Sequence, residues 1–394
     1  AEDIALAQTR ETGQITNFVV SEECLAGADQ IRFFAGAARM LNGLSTGEYM
    51  EGHTSSIRRE PLGVIAQVTP WNYPLMMALW KIGPAVAAGN TVVLKPSDTT
   101  PGSTLKLAEL IAEIFPPGVI NIVLGNASTG AQLAAHPEVR MVSITGSVPA
   151  GRAVGRSAGE NLKRSHLELG GKAPVIVCAD ADLPAAAEGI AAAGFFNAGQ
   201  DCTAACRVLV DASVADTFTS LLAAEAEKLH PGKPDDENAF YGSLNNARHF
   251  AKVTAVLNDL PEHATVATGG NRVGDVGYYL EPTIITGLRQ SDKEIQEEAF
   301  GPIITVQTFD TIDEALEMSN DVSYGLASSI WSNDHHVIER ASRELDFGCV
   351  WVNCHIPLVA EMPHGGYKDS GYGKDLSLYS LEEYTRIKHV MSAH

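Results

Sequence analysis

A cysteine and a glutamate in two short polar segments are the side chains of this sequence best suited to covalent chemistry. Cys202 follows Gly199-Gln200-Asp201, and Glu168 precedes Leu169-Gly170-Gly171. A thiol attacks a carbonyl as the thiolate, and a base must then activate water to release the acyl group. The pair therefore predicts a nucleophile and its base. For Cys202 alone, a small buried packing residue is the alternative.

An asparagine is the candidate donor to the oxyanion that such a reaction forms. Asn72 lies in Thr69-Pro70-Trp71-Asn72-Tyr73-Pro74, directly after a predicted strand over 64–68. Open α/β sheets bind ligands beyond the carboxyl ends of their strands. The Asn72 amide and the backbone N–H of Cys202 are therefore candidate oxyanion donors. Because turns often contain asparagine, a purely structural role is the alternative.

Two further segments follow predicted strands and suit a nucleotide. Lys95-Pro96-Ser97-Asp98 offers an ammonium and a carboxylate to ribose hydroxyls, or forms a helix-entry turn. Ile144-Thr145-Gly146-Ser147 leads into a predicted helix, whose N-terminus suits a pyrophosphate. The second segment lacks the spacing G-x-G-x-x-G, so it does not identify a dinucleotide site by itself.

Alternating strands and helices predict the framework that positions these residues. The strands of a first set are predicted at 64–68, 91–94, 119–123 and 139–144, with helices at 73–88 and 103–115. The strands of a second set are predicted at 174–178, 206–210, 302–308, 325–331 and 349–353. Such alternation predicts an α/β fold of two doubly wound parallel-sheet lobes. Segments 48–60 and 382–391 alternate like exposed strands, which predicts a small sheet that reaches another subunit.

Length, charge and cysteine usage limit the class of protein. A chain of 394 residues exceeds what one core supports, and its net charge of −20 disfavours nucleic acid and anionic membranes as partners. Its six cysteines are too scattered for a disulfide framework or a zinc quartet. No apolar stretch is long enough to span a bilayer. This cysteine usage indicates a reducing cytosol, so we expect a cytoplasmic protein without a metal. The sequence opens with neither a start methionine nor a secretory signal, which indicates a processed chain or a fragment.

Taken together, the motifs resemble the aldehyde dehydrogenase superfamily. The resemblance runs from about Asn42 to the C-terminus and keeps the family's order of motifs. The motifs that carry it are Pro70-Trp71-Asn72-Tyr73-Pro74, Lys95-Pro96-Ser97-Asp98, Thr145-Gly146-Ser147, Glu168-Leu169-Gly170-Gly171-Lys172, Gly199-Gln200-Asp201-Cys202, Glu297-Glu298-Ala299-Phe300-Gly301-Pro302 and Pro363-His364-Gly365-Gly366-Tyr367-Lys368-Asp369-Ser370-Gly371. The resemblance implies NAD-dependent oxidation of an aldehyde through a thiohemiacetal and then a thioester.

The resemblance also assigns roles to individual positions. It implies Cys202 as nucleophile, Glu168 as base and Asn72 as oxyanion donor. The cofactor-binding positions that it implies are Trp71, Lys95, Asp98, Gly146, Ser147, Leu169, Glu298 and Phe300. Because a carboxylate at Asp98 repels a 2′-phosphate, NAD is favoured over NADP as the cofactor.

Three domains follow from the resemblance. They are an NAD-binding domain over 1–47 and 61–169, a catalytic domain over 170–377 and an oligomerisation element over 48–60 and 378–394. Family members carry further elements before the position where this sequence starts, so the NAD-binding domain is expected to be shortened. A homodimer or homotetramer is expected.

Within the superfamily, the sequence is most similar to bacterial 4-aminobutyraldehyde dehydrogenases of putrescine degradation. The stretches that carry this similarity are 32–39, 47–54, 198–206 and 361–366. Asp201 and Glu361 are predicted to attract the substrate's ammonium group, and Tyr73 and Trp80 to supply aromatic walls. Alternatively, these aromatic residues are ordinary core and Asp201 points to solvent.

Other functions remain open at this point. Betaine aldehyde, which carries a quaternary ammonium, and general aldehydes are alternative substrates. A catalytically impaired binding or structural protein that keeps the motifs is another alternative. Coenzyme A-dependent acyl transfer is disfavoured because Glu168 provides a base for hydrolysis.

Overall fold

Two largely parallel sheets and a small antiparallel sheet form the framework of the structure, a computed structural model that describes residues 1–394. The strands are β1 Gly47–Met50, β2 His53–Pro61, β3 Val64–Val68, β4 Thr91–Lys95, β5 Ile120–Ile122, β6 Val139–Thr145, β7 Arg164–Glu168, β8 Pro174–Val177, β9 Arg207–Asp211, β10 Thr265–Thr268, β11 Thr283–Thr286, β12 Ile303–Phe309, β13 Tyr324–Gly325, β14 Ala327–Trp331, β15 Cys349–Val352, β16 Tyr367–Lys368, β17 Gly371–Tyr372 and β18 Thr385–Ala393. The α-helices are α1 Glu2–Thr12, α2 Thr16–Phe18, α3 Ala26–Ala37, α4 Pro74–Ala87, α5 Gly102–Ile114, α6 Ala127–Ala135, α7 Val148–Glu160, α8 Leu183–Phe195, α9 Ala215–Ala226, α10 Ala247–Asn258, α11 Lys293–Gln296, α12 Ile312–Asn320, α13 His335–Glu344 and α14 Ser377–Glu383. A π-helical segment, Val19–Leu25, joins α2 to α3.

The first sheet has the strand order β17-β7-β6-β3-β4-β5 and is parallel except for β17. Its central strands are short apolar runs with helices before and after them, so both faces can be buried. All four strands predicted for this region are present. Because β3, β4 and β6 are parallel, their carboxyl ends share one edge, from which the segments after Val68, Lys95 and Thr145 emerge.

The second sheet has the order β10-β11-β12-β9-β8-β14-β15, and only the β10–β11 pair is antiparallel. Helices α8, α9 and α10 contribute Ile190, Phe218 and Val253 to its main core. The sequence analysis missed β10 and β11. Residues 265–267 of β10 are exposed, so this edge strand has no apolar pattern to reveal it.

The small sheet consists of β1, β2 and β18, all antiparallel. Together with the two parallel-sheet lobes, it confirms the predicted fold class. Strand β18 begins at Thr385, later than the predicted 382, because α14 continues to Glu383. Leu381 and Tyr384 pack in the core of the first lobe rather than on the small sheet. The oligomeric state and the three domain assignments stay predictions. None of the helices combines the length and apolar character needed to cross a membrane.

Candidate active site

Glu168 is the last residue of β7, at the carboxyl edge of the first sheet. It pairs in register with Thr145 of β6 and with Gly371 of β17, and its side chain is buried. The hydroxyl of Thr145 donates to Glu168 Oε2 over 2.7 Å. Two neighbouring strands therefore fix the carboxylate, which leaves Oε1 for other partners.

Cys202 lies on a loop that follows α8 and a left-handed turn. Asn197, Ala198 and Gly199 have φ values of 49°, 58° and 66°. A Cβ on Gly199 would lie 2.1 Å from the Gly301 carbonyl oxygen, so only glycine fits there. The loop places Cys202 Sγ 3.5 Å from Glu168 Oε1, to which the thiol donates.

The loop of Asn72 is tied to the loop of Cys202 by amide hydrogen bonds. Asn72 Nδ2 donates to the Gln200 carbonyl over 3.1 Å, and Asn197 Nδ2 donates to the Asn72 carbonyl over 3.0 Å. Gln14, which the sequence analysis did not consider, donates to the same carbonyl. An amide nitrogen has two N–H groups. Asn72 therefore keeps one donor beyond the bond that orients it.

Burial and neighbouring carboxylates act together on the Cys202 thiol. Burial raises its pKa well above the usual value, and the charges of Glu168 and Asp201 raise it further. The thiol is consequently protonated at neutral pH. Its activation requires a base within reach, and Glu168 is the carboxylate in contact with it.

His364 is a functional candidate that the sequence analysis missed. Its Nε2 lies 3.2 Å from Glu168 Oε1, and both side chains are buried. Burial alone favours the neutral carboxyl, but His364, the Lys81 charge and the Thr145 hydroxyl outweigh it and lower the Glu168 pKa to about 2. Burial opposes the charged imidazole as well, but the Glu168 carboxylate raises the His364 pKa above its usual value. His364 lies in the motif 363–371. The two glycines that follow it are the only sequence signal that pointed to this position.

A cavity of about 490 Å³ brings most of the predicted site residues together. The predicted residues that line it are Cys202, Glu298, Asn72, Trp71, Gly146, Ser147, Leu169, Phe300, Tyr73, Trp80 and Asp201. Glu168 is not a lining residue, but its carboxylate contacts Cys202, which lines the cavity. Lys95, Asp98 and Glu361 are not among the lining residues, and Asp98 and Glu361 are exposed. The assigned roles of all these residues stay predictions.

The cofactor side of the cavity has groups suited to ribose and phosphate. Glu298 Oε1 accepts the Gly171 N–H over 2.9 Å, whereas its Oε2 has no partner within the chain. A Cβ on Gly170 would lie 2.4 Å from that Oε2, so the glycine keeps space around the carboxylate. Ser147 is the N-cap of the 13-residue helix α7 and leaves the first-turn N–H groups without a side-chain cap. These features fit a dinucleotide whose phosphate lies at a helix N-terminus.

Lys95 lies along the same sheet edge, at the end of β4. Its Nζ donates to the Pro96 and Gly125 carbonyls over 2.6 and 3.0 Å. Burial lowers its pKa, and the Asp98 charge partly offsets that effect. The ammonium is thus held in place, which suits a partner for ribose hydroxyls beyond the cavity.

The opposite side of the cavity combines aromatic rings with one carboxylate. The Tyr73 hydroxyl donates to Asp201 Oδ2 over 2.6 Å, while Thr203 N and Oγ1 both donate to Oδ1. The ring of Trp80 lies 5.2 Å from that of His364, centroid to centroid. Asp201 therefore contributes negative charge, but three hydrogen bonds already occupy its oxygens.

Comparison with known proteins identifies the family of the chain. The sequence model of the aldehyde dehydrogenase family matches residues 1–390. A betaine aldehyde dehydrogenase from Bacillus subtilis (strain 168) is 41% identical, covering 99% of this chain and 81% of the relative.

Solved structures of aldehyde dehydrogenases are also similar to this chain. A Staphylococcus aureus betaine aldehyde dehydrogenase in complex with NAD+ is 38% identical, with a TM-score of 0.95, covering 99% of this chain and 78% of that chain. An NAD-dependent aldehyde dehydrogenase from Sinorhizobium meliloti is also 38% identical, with a TM-score of 0.97, covering 100% of this chain and 78% of that chain. The chain belongs to the aldehyde dehydrogenase family, as its motifs predicted.

Proposed function

We propose that this chain oxidises a cationic aldehyde to the carboxylic acid with NAD, and that betaine aldehyde is its preferred substrate. The observation that carries the oxidation is the 3.5 Å contact between Cys202 Sγ and Glu168 Oε1 beside a cavity that Asn72 also lines. Similar proteins have been solved as complexes with NAD+. Glu298 and the N-terminus of α7 are the groups that would hold this cofactor.

The first half of the reaction builds a bond to sulfur. Glu168 takes the thiol proton of Cys202, and the thiolate adds to the aldehyde carbon to form a thiohemiacetal. The free N–H of the Asn72 amide and the backbone N–H of Cys202 stabilise the oxyanion. Bound NAD supplies a hydride acceptor at this point.

The second half of the reaction breaks that bond. After hydride loss, Cys202 carries the acyl group as a thioester. Before hydrolysis, Glu168 passes the proton that it took from the thiol to solvent. It then removes a proton from a water molecule, which attacks the thioester carbon; the carboxylic acid leaves, and Cys202 regains its thiol by taking that proton from Glu168. Positively charged His364 beside Glu168 weakens it as a base, so the neutral imidazole is the form that supports hydrolysis.

The choice of betaine aldehyde over 4-aminobutyraldehyde rests on hydrogen-bonding capacity. A primary ammonium has three N–H donors that need acceptors when it leaves water, but Asp201, with about four acceptor sites, already accepts three hydrogen bonds from Tyr73 and Thr203. A quaternary ammonium has no N–H and needs only negative charge and aromatic faces, which Asp201, Tyr73 and Trp80 provide. The similar proteins from B. subtilis and S. aureus are named betaine aldehyde dehydrogenases. Their names support betaine aldehyde over 4-aminobutyraldehyde as the substrate.

Steady-state kinetics with matched neutral substrates test the proposal. We expect kcat/KM for betaine aldehyde to exceed that for 3,3-dimethylbutanal, its uncharged isostere, by roughly 10- to 30-fold, since a desolvated cation–π contact contributes about 2 kcal/mol. Equal values would contradict cation selectivity but leave the oxidation intact. A higher kcat/KM for 4-aminobutyraldehyde than for betaine aldehyde would favour 4-aminobutyraldehyde as the substrate, as the sequence motifs predicted. No turnover of any aldehyde with NAD would refute the oxidation and favour a non-catalytic binding protein.

A further inference from the structure

Three side chains with different donor atoms converge on one point of the cavity. Cys202 Sγ, Glu168 Oε1 and His364 Nε2 all lie within 4.8 Å of one another. The sulfur is 3.5 Å and the imidazole nitrogen 3.2 Å from the same carboxylate oxygen. One thiol, one imidazole and one carboxylate form a set of the kind found in three-ligand zinc sites.

The spacing of these atoms matches the edges of a tetrahedral zinc site. With Zn–S of about 2.3 Å and Zn–N and Zn–O of about 2.0–2.1 Å, tetrahedral angles place sulfur and oxygen ~3.6 Å apart and nitrogen and oxygen ~3.3 Å apart. The observed separations differ from these by about 0.1 Å. The same geometry places sulfur and nitrogen ~3.5 Å apart. In the structure these two atoms lie within 4.8 Å of each other, so only their separation has to adjust when zinc binds.

The surroundings hold the three ligands in place. The Thr145 hydroxyl fixes the second carboxylate oxygen over 2.7 Å. The ring of Trp80 packs against the imidazole of His364. Outer contacts of this kind orient metal ligands. The nearby cation Lys81 is paired with Asp375 over 3.2 Å, which offsets its repulsion of a metal.

We propose that Cys202, Glu168 and His364 form an inhibitory Zn²⁺ site inside the catalytic cavity. On binding, bonds form from zinc to Sγ, Oε1 and Nε2. The thiol proton and any proton on Nε2 pass to solvent, and no electron is transferred. Thiolate and imidazole favour zinc over Mg²⁺ or Ca²⁺, which prefer oxygen ligands. The fourth position faces the cavity and takes water.

The inhibition rests on the proposed function, whereas the binding does not. A thiolate bound to zinc is no longer free to attack the aldehyde, and the same metal occupies Glu168. Zinc would therefore inhibit oxidation and protect Cys202 from alkylation, and a chelator would reverse both effects. The two consequences have separate measurements.

Direct binding to the metal-free protein tests the site, with Co²⁺ as the spectroscopic probe. We expect one Co²⁺ per chain, with thiolate-to-cobalt absorption in the near ultraviolet and tetrahedral bands in the visible, both abolished by added Zn²⁺. Cys202→Ala and His364→Phe should each weaken binding at least 100-fold, because even outer-contact changes cost about 10- to 100-fold. His336→Asn, in an exposed pair of histidines, is the control and should bind normally. Thermal unfolding checks that each variant is folded.

The outcomes separate the two claims. Absence of thiolate absorption, or binding that survives both Cys202→Ala and His364→Phe, would overturn the zinc site. Cobalt binding as described in a protein that oxidises no aldehyde would uphold the site and refute the proposed function. Zinc binding at Cys202 without loss of oxidation would overturn the inhibitory role.

Discussion

His364 Nε2 lies 3.2 Å from Glu168 Oε1, so an imidazole that lines the cavity contacts the buried carboxylate beside Cys202. The pKa of Glu168 is lowered to about 2, and its carboxylate raises the pKa of His364, so a protonated His364 would offset the charge of Glu168. Asp201 lines the same cavity, and its oxygens accept from Tyr73 and Thr203 rather than from a cation. With this distribution of charges, the cavity suits a cationic aldehyde even though His364 lines it.

Removing the charge of Asp201 should lower selectivity for cations. In Asp201→Asn, we expect the ratio of kcat/KM for betaine aldehyde to kcat/KM for 3,3-dimethylbutanal to fall about 10-fold, because a nearby charge contributes ~1–2 kcal/mol in a partly solvated site. The exposed Asp216→Asn is the matched control. Equal losses for both aldehydes would show that Asp201 acts on the loop rather than on charge.

The Cys202 thiol should titrate above the range of an ordinary cysteine. Burial, followed by Glu168 and Asp201, raises its pKa, so the thiolate fraction keeps growing as the pH passes 9. Mass spectrometry of iodoacetamide labelling, residue by residue, should therefore show a rate at Cys202 that still climbs above pH 9. In Asp201→Asn one repelling charge is lost, and the curve should move to lower pH. A plateau at pH 8 in the unmodified protein would contradict this account.

The buried ion pair of Lys81 and Asp375 should be costly to break on one side. Both side chains are fully buried, with Nζ and Oδ2 3.2 Å apart. Lys81→Met leaves an uncompensated carboxylate and should cost about 3–5 kcal/mol in the free energy of unfolding, whereas Lys81→Met/Asp375→Leu should recover most of it. Urea unfolding followed by fluorescence measures both variants. A double variant no more stable than the single one would contradict this interpretation.

Glu23 should make stability depend on pH. Burial raises its pKa to about 7, against the lowering effect of the Met76 N–H and the Gln8 and Gln14 amides. Between pH 4.5 and 7 the folded state holds a proton that the unfolded state releases, so this group's contribution falls as the pH rises, by about 2–4 kcal/mol in all.

Glu23→Gln removes that titration. The unfolding free energy of the variant minus that of the unmodified protein should therefore rise from pH 5 to pH 8. Because other acidic groups act equally in both proteins, only the difference matters. A difference that stays constant with pH would show that Glu23 does not titrate in this range.

The elements that the sequence predicted best are short apolar strands bounded by turns. Strand β3 lies where the run 64–68 was predicted to form one, because a short apolar stretch between turns has few other conformations. The contact between Glu168 and Cys202 follows from two motifs whose order resembles a known family. Edge strand β10, by contrast, is exposed and carried no pattern.

Contacts between distant segments were beyond sequence reasoning. His364 reaches Glu168 across 196 residues of chain, and only the packing of the 363–371 segment against β7 brings them together. Likewise, nothing in the local sequence separates Asp201, which lines the cavity, from the exposed Glu361. Side-chain direction at the end of an element depends on tertiary contacts that a single sequence does not display.

Rapid-quench mass spectrometry of Glu168→Gln tests the central claim most directly. Because the Glu168 charge raises the pKa of Cys202, its loss lets the thiolate form at high pH without that base. With betaine aldehyde and NAD above pH 9, the account predicts one acyl group per active chain on the peptide of Cys202, formed before steady state. Turnover should fall by about 10²- to 10⁴-fold, the usual contribution of a general base. The exposed Glu113→Gln should turn over normally and accumulate no adduct. An adduct on another cysteine, or normal turnover in Glu168→Gln, would contradict the assignment of Cys202 as nucleophile or of Glu168 as base.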